Sequence, residues 1–159
     1  MGDNFKFKGF TLVELMIVVA IIAFLAVIAV PSFFTFLAKA KRSEAYLNLG
    51  AIYTAQKSYW AENGRYCEDL KRVGWKPEGY RGGGKKERFC YTYGFSNGSE
   101  GQNYFTGNLE TSYTHLSMTK ADQTKFVAGA VGDIRGNGKF DLITIDQSGN
   151  IKIVKDGLK

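Results

Sequence analysis

The 159-residue sequence predicts an α+β fold in which a long N-terminal hydrophobic helix packs on an antiparallel sheet of about four strands. Three observations predict it. Residues 10–38 carry a single charge, Glu14, and no polar side chain at all stands between Leu15 and Val30. Residues 39–63 keep a helical period but become two-faced. Beyond Phe89, short stretches rich in aromatic and β-branched residues alternate with turns of Gly, Asn and Ser. The length suits one compact globular domain and not two, so the expected organisation is a short polar stretch over 1–9, an apolar helix over 10–38, its amphipathic continuation over 39–63 and a globular head over 64–159.

As a helix, residues 10–38 run for roughly 40 Å, enough to cross the hydrocarbon core of a membrane. A cleaved secretory signal also begins basic and turns apolar, but no small-residue cleavage site follows this apolar run, which continues into Lys39, Ala40, Lys41 and Arg42. Pro31 removes one backbone donor and presses on the carbonyl of Val27, so a bend or loosening is expected there. Further on, Ala45, Leu49, Ile52 and Tyr59 recur at spacings of three, four and seven with Gln56 between them. Lys41, Glu44, Lys57 and Glu62 lie elsewhere around the helix. Asn63-Gly64 supplies a left-handed stop, which predicts one helix from about Thr11 to Glu62.

Residues 89–95 and 125–131 read as strands. Residues 141–146 and 150–154 flank Gln147-Ser148-Gly149 and read as a hairpin with Ile143, Ile145, Ile151 and Ile153 on one face. Residues 96–124 are rich in Gly, Asn, Ser and Thr and show no period to which an element can be assigned.

The residues around the start of the helix form a motif. A polar stretch with Lys6 and Lys8 ends in Gly9 and is followed by Phe10, Thr11, Leu12, Val13, Glu14 and the apolar run. Over residues 8–38 the sequence resembles the type IV prepilins and the related pseudopilins of type II secretion. The resemblance implies that residues 1–9 are a leader, that a membrane prepilin peptidase cuts between Gly9 and Phe10, and that the new Phe10 amine is methylated. It implies the pilin fold, retention of the helix in the inner membrane and then, through the assembly machinery there, entry into an extracellular filament of identical subunits. It assigns assembly roles to Phe10, Thr11, Glu14 and Pro31. Relatives often carry glycine upstream of that proline, where this chain has Ala23 and Ala26.

Glu14 also has a physical argument of its own. A carboxylate inside a bilayer costs about 2.5 kcal/mol or more, and such residues are usually paired and functional. The amine freed at Phe10 is the natural counter-ion, one helical turn away in the same subunit or on a neighbour in a stack of helices. The bland alternative is a carboxylate resting at the membrane interface.

Cys67 and Cys90 bracket a loop, and in an exported chain an even cysteine count favours a disulfide worth roughly 3 kcal/mol in the loop-entropy picture. Two buried free thiols are the alternative and call for a reducing compartment. The net charge of +6, of which Lys6, Lys8 and Asp3 supply one unit, fits nucleic acid, anionic lipid or an acidic surface and equally fits mere solubility. Lys71, Arg72, Lys76, Arg81, Lys85, Lys86 and Arg88 lie among Trp75, Tyr80 and Phe89, a mixture suited to phosphate contact and base stacking; Glu68, Asp69, Glu78 and Glu87 dilute it. Arg81, Lys85, Lys86 and Arg88 are the expected anion or DNA contacts.

No enzymatic constellation and no cofactor motif is expected. His115 is the single histidine and has no local catalytic motif. Asp133, Asn137 and Asp141 are weak calcium candidates, with Arg135 where the EF-hand pattern wants an oxygen ligand. Three functions follow: a subunit of a surface filament for adhesion, motility or DNA uptake; a pseudopilin of a type II secretion system; and a membrane-anchored binding module that does not polymerise and uses the basic loop.

Overall fold

A computed structural model of the chain describes residues 9–159, so the expected leader lies outside the described residues except for Gly9. The chain divides between Phe36 and Leu37 into two units. One helix, α1, covers Leu12–Asn63, 52 residues or about 78 Å at 1.5 Å per residue. Its bounds fall within one residue of those expected. Pro31 sits inside it without ending it. Proline leaves one carbonyl of the ladder without its donor, while nearby hydroxyls add bonds to others: Ser32 Oγ donates to the Ile28 carbonyl at 3.3 Å and Thr35 Oγ1 to that of Pro31 at 3.2 Å.

In the first unit the helix is apolar on every side. From Phe10 to Phe34 each side chain is exposed except the half-buried Ala26. Helix continuity here rests on backbone bonding and on chain composition, not on tertiary packing.

The second unit joins the rest of α1 to six strands: β1 Thr92–Gly94, β2 Tyr104–Phe105, β3 Lys120–Ala121, β4 Phe126–Gly132, β5 Asp141–Asp146 and β6 Ile151–Lys155. All are antiparallel, in the order β2-β1-β4-β5-β6, with β3 pairing on β4. The count exceeds the expected four because β2 and β3 arise within residues 96–124. Each has two residues, too few to show an alternating pattern. A 3-10 turn, Tyr113–Leu116, lies between them, with Ser112 Oγ accepting from the Thr114 N–H.

Ala38, Ala45, Leu49 and Ile52 face the sheet and share one core with Tyr93, Phe95, Phe126, Ala128, Ala130, Ile143 and Ile145. Alanines at Ala38 and Ala45 on the helix and at Ala128 and Ala130 on β4 leave room in that core for the rings of Tyr93 in β1 and of Tyr91 and Phe95 beside it. The hairpin register pairs Ile143 with Ile153 and Ile145 with Ile151, so the four isoleucines share a face as the alternation predicts. Its turn is held by Asp146, whose Oδ1 accepts from the Ser148 and Asn150 N–H groups. The other face carries a smaller cluster of Leu116, Val131 and Leu142. A Cβ at Gly129 would lie 2.7 Å from a Thr119 methyl and 2.9 Å from one of Leu116, so only glycine lets that segment lie on β4.

Candidate assembly site

The start of α1 is built by Thr11 and Glu14. Thr11 stands just before the helix, and its Oγ1 accepts the Glu14 N–H at 3.2 Å. Glu14 Oε2 in return accepts the Thr11 N–H at 2.9 Å and the Thr11 hydroxyl at 2.8 Å. Two otherwise orphaned donors are thereby satisfied reciprocally, a capping box. Its signal, Thr-x-x-Glu ahead of an apolar run, was legible in the sequence beside the reading of Glu14 as a counter-ion. All three bonds leave Glu14 Oε1 without a partner among the described residues. The site therefore offers a free carboxylate oxygen at a helix start, next to Phe10, which is 80% exposed.

Around this polar point, eighteen large apolar side chains between Phe10 and Phe36 stand at least 45% exposed. At about 1.5–3 kcal/mol per fully buried side chain, covering them is worth roughly 30–50 kcal/mol as an upper bound. Such a surface needs lipid or other helices over it. By length and composition, α1 can cross a membrane.

The second unit has a charged centre that charge counting missed. Arg42 occupies the sheet-facing line of Ala38, Ala45 and Leu49 and is buried. Its Nε donates to Asp141 Oδ2 at 3.0 Å and its Nη2 to Oδ1 at 2.5 Å, and Nη2 also meets Asp156. Asp141 is fully buried and accepts in addition from the Tyr91 hydroxyl at 2.8 Å and the Gly157 N–H at 3.0 Å. Burial works against the guanidinium charge, but the bonds and charges of Asp141 and Asp156 outweigh it and hold Arg42 above its ordinary value. Burial first and Asp141 second push the Tyr91 phenol up. The centre ties α1, the residue just before β1, β5 and the C-terminal turn together.

The three calcium candidates are engaged within the fold. Asp141 is spent on Arg42, Tyr91 and Gly157. Asp133 points into its own turn and accepts from the N–H groups of Gly136, Asn137 and Gly138, while Asn137 accepts from Lys139. No cluster of three or more His, Cys, Asp or Glu able to hold a metal occurs among the described residues.

The Cys67–Cys90 bridge expected from the sequence is not formed in this structure, where both thiols are free. Cys67 is held by Gln56, whose Oε1 accepts the Cys67 N–H and whose Nε2 donates to the Cys67 carbonyl. The Cys90 N–H donates to Glu44 Oε1 at 2.8 Å. Gln56 and Glu44 are twelve residues apart on α1, about 18 Å along its axis. Burial, then the charge and bond of Glu44, push the Cys90 thiol up to about 12.

In the basic loop, Arg81, Lys85, Lys86 and Arg88 are exposed, as are Lys71, Arg72 and Lys76. The aromatic part of the expectation fails. Trp75 and Phe89 are buried, and Tyr80 is half-buried with its ring 4.8 Å from that of Phe105. These rings are core and leave no free face for a base. Glu87 is buried beneath the loop, its Oε1 accepting from the Arg81 and Gly83 N–H groups, so it shapes the turn. Lys85 lies 3.8 Å from Glu110. His115 stacks on Phe140 at 4.2 Å, and no side-chain hydrogen bond joins its ring to either cysteine or to a serine among the described residues.

Residues 4–30 match the family model described as the prokaryotic N-terminal methylation motif. The chain is 31% identical over 146 residues to the type IV major pilin protein PilE of Neisseria gonorrhoeae, covering 90% of this chain and 85% of that one. It is 53% identical over 83 residues to the type IV major pilin protein PilA of Myxococcus xanthus (49% of this chain, 38% of that one) and 42% identical over 67 residues to the fimbrial protein EcpC of Eikenella corrodens (42% and 44%). The chain thus spans less than half the length of these two relatives. Helix, sheet, N-terminal motif and near full-length similarity agree: this chain belongs to the type IV pilin family.

Proposed function

We propose that the chain is the structural subunit of a type IV pilus, made as an inner-membrane precursor and assembled into an extracellular filament. The observation that carries this reading is a largely apolar, uncovered first part of α1 that opens on a carboxylate with one oxygen free. A mere anchor gains nothing from a charge at that place, whereas a stack of helices can set its axial register by pairing Glu14 with the amine of a neighbour. Cleavage between Gly9 and Phe10 exposes that amine, and methylation of Phe10 keeps it basic. The prepilin peptidase and the inner-membrane assembly machinery are the partners this requires. The names of the relatives, major pilin and fimbrial protein, support a surface filament over a secretion pseudopilin or an unassembled binding module.

The filament presents the second unit outward, and its basic loop makes contact with anionic surfaces or DNA through charge alone, since its aromatic neighbours are buried. Adhesion, surface motility and DNA uptake are the roles that such charge-based contact can serve.

Mass spectrometry of filaments sheared from cells tests the reading. The expected subunit begins at methylated Phe10. Finding the processed chain only in membranes, with none in the sheared fraction, would overturn it.

A further inference from the structure

Asparagine is followed by glycine at three places in the sequence, Asn63-Gly64, Asn97-Gly98 and Asn137-Gly138. The pair has a chemistry of its own. The backbone nitrogen of the second residue can attack the side-chain amide carbon of the asparagine. Glycine, having no Cβ, leaves that nitrogen unhindered and its backbone free to turn toward the amide. Both the attacking N–H and the amide must be at liberty for this to happen.

Two of the pairs have these groups engaged. At the end of α1 the Gly64 N–H donates to the Trp60 carbonyl at 2.8 Å, and the Asn63 amide donates to the Tyr59 carbonyl at 3.0 Å. Between β4 and β5 the Gly138 N–H donates to Asp133 Oδ2 at 2.8 Å, and Asn137 Oδ1 accepts the Lys139 N–H at 3.0 Å. In the turn between β1 and β2, by contrast, neither the Gly98 N–H nor the Asn97 side chain makes a hydrogen bond among the described residues, and both residues are exposed. The bonds that shape this turn lie on either side of them, Ser96 being tied to Thr119 and Ser99 to Asn103. The fold itself calls for the glycine, because Gly98 has φ +91° and a Cβ there would run into the Asn103 amide. The turn thus sets behind Asn97 the residue type that lays it open to attack.

We propose that Asn97 is a site of self-modification in the head, deamidating through its own chain while Asn63 and Asn137 are held back. The Gly98 nitrogen forms a bond to Asn97 Cγ and gives up its proton, and the Cγ–Nδ2 bond breaks with release of ammonia. Water then opens the cyclic imide at either carbonyl, giving aspartate or isoaspartate. Water is the only co-reactant. Each event replaces a neutral amide by a carboxylate and lowers the net charge of the chain by one unit. The new charge stands in the turn whose Gln102 carbonyl accepts the Leu70 and Lys71 N–H groups at 2.8 and 3.3 Å, where the basic loop begins. It therefore opposes the contact of that loop with anionic surfaces. This last effect rests on the proposed function; the reaction does not.

The test holds the full-length chain, folded in detergent, in mildly alkaline buffer made with heavy-oxygen water. Peptide mapping by mass spectrometry follows the three asparagines, and the incorporated oxygen marks conversions that took place in the folded protein. An N–H that must first leave its hydrogen bond is slowed about tenfold or more, so Asn97 is expected to outpace Asn63 and Asn137 by that factor. In urea the three rates are expected to converge. Equal rates in the folded chain, or an inert Asn97, overturn the proposal. Asp133→Ala tests the protecting bond, since it frees the Gly138 N–H. With the fold confirmed by circular dichroism, Asn137 is expected to speed up toward the rate of Asn97, which itself stays unchanged. An Asn137 that stays slow in that variant sinks the proposal as well.

Discussion

Glu14 combines two roles that one pair of substitutions can separate. In the structure its carboxylate caps the helix through Thr11, and in the proposed filament its charge pairs with an amine. Glu14→Ala removes both. It deletes the bonds at 2.9 and 2.8 Å to Thr11, worth about 1 kcal/mol for a cap of this kind, and it removes the charge. Glu14→Gln removes the charge alone, because a glutamine carbonyl accepts the same two bonds and glutamine serves at this position of a capping box. It should also ease insertion, since a carboxylate in a bilayer costs about 2.5 kcal/mol or more. Helix content of the precursor in detergent, by circular dichroism, is expected to match the parent in the glutamine variant and to fall slightly, with fraying of the first turn, in the alanine variant. Filament yield in cells is expected to collapse in both. A glutamine variant that makes pili at the parent level would refute the argument, and the cap would then be what assembly needs.

Four further outcomes follow from the second unit. Arg42→Met leaves Asp141 buried and unpaired and is expected to cost about 3–5 kcal/mol in thermal unfolding, much of which Arg42→Met with Asp141→Leu recovers. Gly107→Ala puts a Cβ 2.4 Å from the carbonyl oxygens of Cys90 and Tyr91 and should destabilise by about 3 kcal/mol in the same measurement. Alkylation in denaturant without reductant, followed by mass measurement, is expected to label both Cys67 and Cys90; a chain two hydrogens light would contradict the free thiols. Stability falls as pH rises from 9 toward 12, because the unfolded Cys90 thiol loses its proton first while the folded one stays neutral to about 12. Tyr91 and Tyr93 are raised in the same direction, by burial and then by Asp141 and Glu44, so phenolate absorbance should appear together with unfolding and not before it.

How much of this was legible depended on the length over which a pattern repeats. The helix and the β5–β6 hairpin were read within a residue because periods of 3.6 and 2 extend over many turns or a whole strand. Strands β2 and β3 have no period to show, being defined by the partners they find across the sheet. Arg42 was counted with Lys39 and Lys41 as a basic flank, yet its spacing from Ala38, Ala45 and Leu49 already put it on the apolar line. A period should therefore outrank a charge count. The aromatic residues near the basic loop were misassigned for the converse reason: Trp75 and Phe89 alternate with charges along the chain, but the Gln56 and Glu44 tethers at Cys67 and Cys90 draw the loop onto α1 and turn those rings inward.

The order of energies also explains why the polar groups should govern assembly. Lipid tails are as apolar as the flanks of a neighbouring helix, so leaving the membrane for a bundle of helices gains little from the hydrophobic effect, and the terms left to decide are packing and the few polar contacts. Eighteen exposed apolar side chains thus supply cohesion without direction, since they can slide past one another. Glu14 can select one axial register because a carboxylate in an apolar bundle tolerates few positions for its counter-ion.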